Sequence, residues 1–201
     1  MNRYNQPSFL PIELNRMLNL SDQTLLIEAL STQLASVLRD RGLYVVTAES
    51  CTGGWVAEAI TRVPGSSGWF DRGFVTYSNE AKREMLGVRV KTLERHGAVS
   101  RAVVEEMAKG AVKKSRGTFS VSISGIAGPD GGTEEKPVGT VWIAWSIQGK
   151  VDAAHFLLPG DRQDVRAAAV SLALQGLLVR IRDWFRQQPE EEMTPLLEQS
   201  E

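Results

Sequence analysis

From residue 21 onward the apolar positions keep two rhythms. Leu26, Leu30, Leu34, Val37 and Leu38 recur at intervals of three and four, which predicts an amphipathic helix opened by Ser21 and ended by Gly42. A short apolar run then predicts a buried strand over residues 43–48, and residues 51–62 read as a helix that stops before Pro64. "GFVTYS" (73–78) is a second strand and "NEAKREML" a short helix after it. Ser100 is placed to cap a helix whose Val103, Val104, Met107 and Ala111 share one face. "TFSVSISG" and "VGTVWIAWS" are rich in β-branched and aromatic residues, as strands are, and "KVDAAHFLLP" predicts a further strand. A long helix starts near Asp161, with Leu174, Leu177, Leu178, Ile181, Trp184 and Phe185 on its core face.

Strand and helix alternate early and strands run together later, which predicts a single three-layer α/β/α domain around a mixed sheet. The domain is expected over residues 21–187. Residues 1–20, interrupted by Pro7 and Pro11, read as an N-terminal extension, and residues 188–201 as an acidic, mobile tail.

Composition narrows the partners. With 23 basic and 24 acidic side chains in 201 residues the net charge is −1, which disfavours a nucleic-acid role. One cysteine excludes an intrachain disulfide and fits a reducing compartment. "AAAVSLALQGLLV" is too short for a bilayer and the N-terminus lacks a signal-peptide core, so no membrane association and a cytoplasmic location are expected.

The chemistry is concentrated in "TAESCTGG", where Ser50 directly precedes Cys51 at the end of a strand. The N–H groups of Thr52, Gly53 and Gly54 open a helix and are suited to a phosphate or an oxyanion; a plain capping role for Ser50 or Thr52 is the alternative. His96 and His155 are isolated, so no serine–histidine–aspartate set and no metal site can be assembled. "TYSNEAK" offers Tyr77 and Lys82 as activating groups, provided that burial lowers the pKa of the lysine. Cys51 is the rival nucleophile. "SGIAGPDGGTEEKPVGT" carries Ser124, Gly125 and Gly128 in a long connection suited to a rim or lid. "PGDRQDVR" puts Arg162 and Arg166 at the start of the last helix, where an anion or an acidic neighbour would offset their charge.

"TAESCTGG", "GFVTYSNEAKREMLGV", "GAVS", "SGIAGPDGG", "KPVGTVWIAW" and "GDRQDVR", in this order, resemble the C-terminal domain of competence/damage-inducible protein A over residues 22–187. That family includes nicotinamide-nucleotide amidohydrolases. The resemblance implies an α/β fold with a mixed, mostly parallel five-stranded sheet, and hydrolysis of nicotinamide mononucleotide to nicotinate mononucleotide and ammonia. It assigns the nucleophile to Ser50 and assistance to Tyr77 and Lys82, and makes Arg162 a partner for substrate or for a neighbouring subunit. No metal or organic cofactor is expected; the partner is a small nucleotide, and a homo-oligomer is compatible with the reading. A domain that binds pyridine nucleotides without hydrolysing them is the alternative.

Overall fold

The computed structural model describes residues 19–188. The extension before residue 21 and the acidic tail lie almost wholly outside the described residues. Helix α1 (Leu20–Leu38) leads into strand β1 (Val45–Glu49), helix α2 (Trp55–Thr61) and strand β2 (Phe70–Val75). Helices α3 (Asn79–Leu86), α4 (Val90–His96) and α5 (Arg101–Lys113) precede strands β3 (Phe119–Gly125), β4 (Thr140–Ile147) and β5 (Lys150–Leu157). Helix α6 (Arg162–Arg186) closes the domain.

The five strands lie in the order β2-β1-β3-β4-β5; β1 pairs in parallel with β2 and β3, while β4 pairs antiparallel with both β3 and β5, so β4 alone runs against the rest. Successive strand residues face opposite sides, so β1 feeds two cores. Val45 joins Phe119, Val121, Ile123 and Trp145 beneath α1, α2 and α6. Val46 and Ala48 pack with Leu86, Leu93, Val103 and Met107 of α3, α4 and α5. All five residues of β1 are buried, as expected of a parallel strand covered on both faces.

Three expectations shift. The first helix is capped by Asn19, whose side chain accepts the Asp22 N–H at 3.0 Å, so Ser21 already lies inside it. Strand β2 covers 70–75 rather than 73–78, because its ladder begins at Val45–Phe70 and runs out with β1 at Glu49–Val75. Thr76 to Ser78 then leave the sheet, and the Ser78 hydroxyl caps α3 by accepting the Ala81 N–H at 3.0 Å. Residues 90–96, for which no element was expected, form helix α4; only its Thr92 and Leu93 are buried, too few to set a period.

For function, the decisive feature is where β1 and β2 end. Their carboxyl ends lie side by side, where open parallel sheets present ligand sites. The Thr76 N–H donates to the Glu49 carbonyl at 2.8 Å, and the Ser50 N–H to the Ile123 carbonyl at 3.0 Å. Among the described residues no helix is long and apolar enough to cross a membrane.

Candidate active site

Residues 50–54 do not belong to the helix expected from residue 51; they form a turn, and α2 begins at Trp55. Gly53 (φ 64°) and Gly54 (φ 96°) take the left-handed backbone this turn requires. The turn is organised by Glu49, fully buried at the end of β1. One of its carboxylate oxygens accepts the Thr52 hydroxyl at 2.7 Å, the Gly54 N–H at 3.0 Å and the Val56 N–H at 3.0 Å; the other accepts the Ala57 N–H at 2.9 Å. A buried carboxylate needs such donors, and a helix N-terminus has unpartnered N–H groups to give. The capping expected of Ser50 or Thr52 thus falls to Glu49. Of the amides considered for an anion, that of Gly54 faces Glu49 and that of Gly53 donates to the Ser50 carbonyl at 3.0 Å.

Ser50 and Lys82, 32 positions apart, meet here. Nζ of Lys82 lies 3.1 Å from Oγ of Ser50 and donates to the Thr76 carbonyl at 2.8 Å. Lys82 is 1% exposed, and burial pushes its pKa below that of an ordinary lysine, because the ammonium form loses its hydration. With Nζ neutral, the hydrogen bond reverses and the Ser50 hydroxyl donates to the amine. That is the geometry of a nucleophile and its base.

Tyr77 stands apart from this pair. It is 62% exposed, and its hydroxyl accepts from the Arg162 guanidinium at 3.1 Å. Arg162 also donates to the Gly128 carbonyl at 2.8 Å, joining the strand-end tyrosine to the long connection after β3. Arg166, one turn further along α6, donates from Nε to the Cys51 carbonyl at 3.1 Å and from Nη2 to the Thr52 carbonyl at 2.9 Å. Both arginines line a cavity of about 500 Å³ together with Gly128, Pro129 and Gln163. Asp161 caps α6, accepting the N–H groups of Gln163 and Asp164 through its side chain, so the cap is acidic while the arginines reach away from their own helix.

Ser124 is buried, and its hydroxyl donates to the Ala98 carbonyl at 2.9 Å. Gly125 sits against the nucleophile turn: a Cβ there would lie 3.1 Å from the Cys51 sulfur and 2.7 Å from a Val141 methyl. Cys51 is buried, and loss of hydration raises its thiol pKa to about 11, which disfavours a thiolate. His155 packs against Trp142, with ring centroids 5.1 Å apart and planes tilted by 45°, toward the opposite edge of the sheet from β2. Among the described residues no group of three or more His, Cys, Asp and Glu side chains is placed to hold a metal ion.

Sequence reasoning missed Glu49 and Thr76, and it placed Arg166 at the start of the last helix without its partners, the Cys51 and Thr52 carbonyls. Glu49 was signalled by a charge closing an apolar strand. Arg166 was signalled by its positive charge at a helix start, and its spacing of four from Arg162 puts both on one helix face. Thr76 acts through its carbonyl, which no residue type reveals.

The model of the CinA C-terminal domain matches residues 27–181. The chain belongs to this family. It is 60% identical over 149 residues to the nicotinamide-nucleotide amidohydrolase PncC of Escherichia coli (strain K12), covering 74% of this chain and 90% of that protein. It is 53% identical over 152 residues to the enzyme of the same name in Pseudomonas putida, covering 76% and 95%. Among solved CinA-superfamily structures, the competence/damage inducible protein of Agrobacterium tumefaciens superposes with a TM-score of 0.76 at 46% identity, covering 78% of this chain and 96% of that one.

Proposed function

We propose that the protein is a nicotinamide-nucleotide amidohydrolase that converts nicotinamide mononucleotide to nicotinate mononucleotide and ammonia. The reading rests above all on the buried Lys82 amine 3.1 Å from the Ser50 hydroxyl, in a chain 60% identical to an enzyme of that name.

In this mechanism Ser50 Oγ attacks the carboxamide carbon while its proton passes to Lys82 Nζ. The tetrahedral intermediate collapses as the Lys82 ammonium protonates the departing nitrogen, releasing ammonia and leaving a Ser50 ester. Water, deprotonated by the now neutral Lys82, attacks the ester; the carboxylate leaves and Ser50 regains its proton. Tyr77 and Arg162 form the rim that contacts substrate, with Gly125 keeping the wall beside Cys51 close. The cavity at the start of α6 suits the 5′-phosphate, because two guanidinium groups line it and the end of α2 already holds the Glu49 carboxylate. Thr52 is the residue of the turn retained for the oxyanion.

Ammonia release from nicotinamide mononucleotide tests this. Release by the wild type and Cys51→Ala, and none from Ser50→Ala, is expected. No release by a folded wild type that binds the nucleotide would replace the reading with a non-hydrolytic binding domain.

A further inference from the structure

Arg166 is absent from every role assigned above except the lining of the cavity, yet its contacts are unusual. Its planar guanidinium reaches from α6 to two successive carbonyls, those of Cys51 and Thr52, 115 and 114 positions away. It also lies over the Trp55 ring, 5.3 Å from the centroid, which holds it from a second side. A trans peptide unit is planar with its C=O and the following N–H opposed. Fixing the Cys51 carbonyl on Arg166 therefore turns the Thr52 N–H away from Arg166. Fixing the Thr52 carbonyl likewise turns the Gly53 N–H away, and that group meets the Ser50 carbonyl.

The nucleophile turn is thus held by opposite charges on its two kinds of backbone group. Glu49 takes N–H groups on one side and Arg166 takes carbonyls on the other. Gly53, at positive φ, would bring a Cβ to 3.7 Å from Arg166 Nη2, so the guanidinium lies close over the turn. Lysine keeps the charge but has no rigid fork to span two carbonyls.

We propose that Arg166 is a positioning residue for the hydrolysis, holding the two peptide units after Ser50 so that the Ser50 hydroxyl and the Thr52 N–H keep one fixed relation. This rests on the serine-hydrolase reading of the site. Displacing such a turn by an ångström costs on the order of 100-fold in rate.

Two readouts keep the proposal separate from the substrate assignment. The rate at which a fluorophosphonate probe labels Ser50, with Ser50→Ala as background, needs no knowledge of the natural substrate. Steady-state ammonia release then divides KM from kcat. Arg166→Lys is expected to fold with an unchanged melting profile, to label at least about tenfold more slowly, and to lose about 100-fold in kcat with KM within about threefold. Added guanidinium ion should restore part of the labelling rate to Arg166→Ala, a recovery that a scaffold role would not give. Wild-type labelling by Arg166→Lys overturns the proposal, as does a loss in both variants that follows unfolding and does not respond to guanidinium. If wild type labels but releases no ammonia from the nucleotide, the substrate assignment fails and the labelling comparison still decides the role of Arg166.

Discussion

Ser50–Lys82 and Tyr77–Arg162 are two hydrogen-bonded pairs of nearly equal length, 3.1 Å each, held under opposite conditions. The first is buried; Lys82 is anchored by a backbone carbonyl and its charged form is penalised by lost hydration. The second stands at the rim, with the tyrosine 62% exposed and its partner tied to a loop carbonyl. Burial changes what a side chain is able to do chemically, whereas exposure leaves it free to contact an incoming ligand. A lysine becomes a base only in the first setting.

The largest expected effect breaks the buried pair. Lys82→Met removes the proposed base with little change of volume and should lower kcat on the order of 10³-fold, read by ammonia release. In the wild type the sign of the shift also sets the pH dependence. The proposed mechanism requires neutral Lys82, so it predicts that kcat/KM rises with pH, and the lowered pKa places that rise below the range of an ordinary lysine. A rise centred at or above that range would remove Lys82 as the base.

Next comes the anchor of the turn. Glu49→Gln offers an amide group to N–H donors and leaves at least one unmatched, at a cost of about 2 kcal/mol, seen as a lower Tm. An unchanged Tm would mean that the carboxylate is not what holds the start of α2.

At the rim the loss should be smaller. Tyr77→Phe deletes one exposed hydrogen bond, worth about tenfold at most. A loss as deep as that of Lys82→Met would move Tyr77 from the rim into the proton-transfer chemistry. Smallest of all is Cys51→Ala, expected to keep kcat within about twofold, because burial raises the thiol pKa to about 11 and disfavours the thiolate that a nucleophile needs. Loss of turnover there, with Ser50→Ala still active, would reverse the roles of the two neighbours.

Much of the architecture was legible in the linear chain because long elements carry a strong period. The stripes of α1 and α6 and the β-branched run of β3 announce themselves. Short elements did not. Strand β2 was displaced by three residues because its start is set by pairing with Val45, and α4 was missed because only two of its residues are buried. In the site, "ESCTGG" and "YSNEAK" were visible as residue types, but their partners were not. Tyr77 and Lys82 are five apart in sequence, and yet one bonds to α6 and the other to Ser50.

By itself the sequence determined the order of the long elements, the layered α/β class and the presence of a serine and a tyrosine after strands with a lysine on the helix that follows, since these follow from local periodicity and residue chemistry. Only the tertiary structure decided that Lys82 is dry, that Glu49 rather than an external anion fills the start of α2, and that Arg166 grips the turn from 114 residues away. Hydration is lost only when separate segments close over a side chain, and a hydrogen bond across such a span exists only once the fold has brought the turn after β1 against the start of α6.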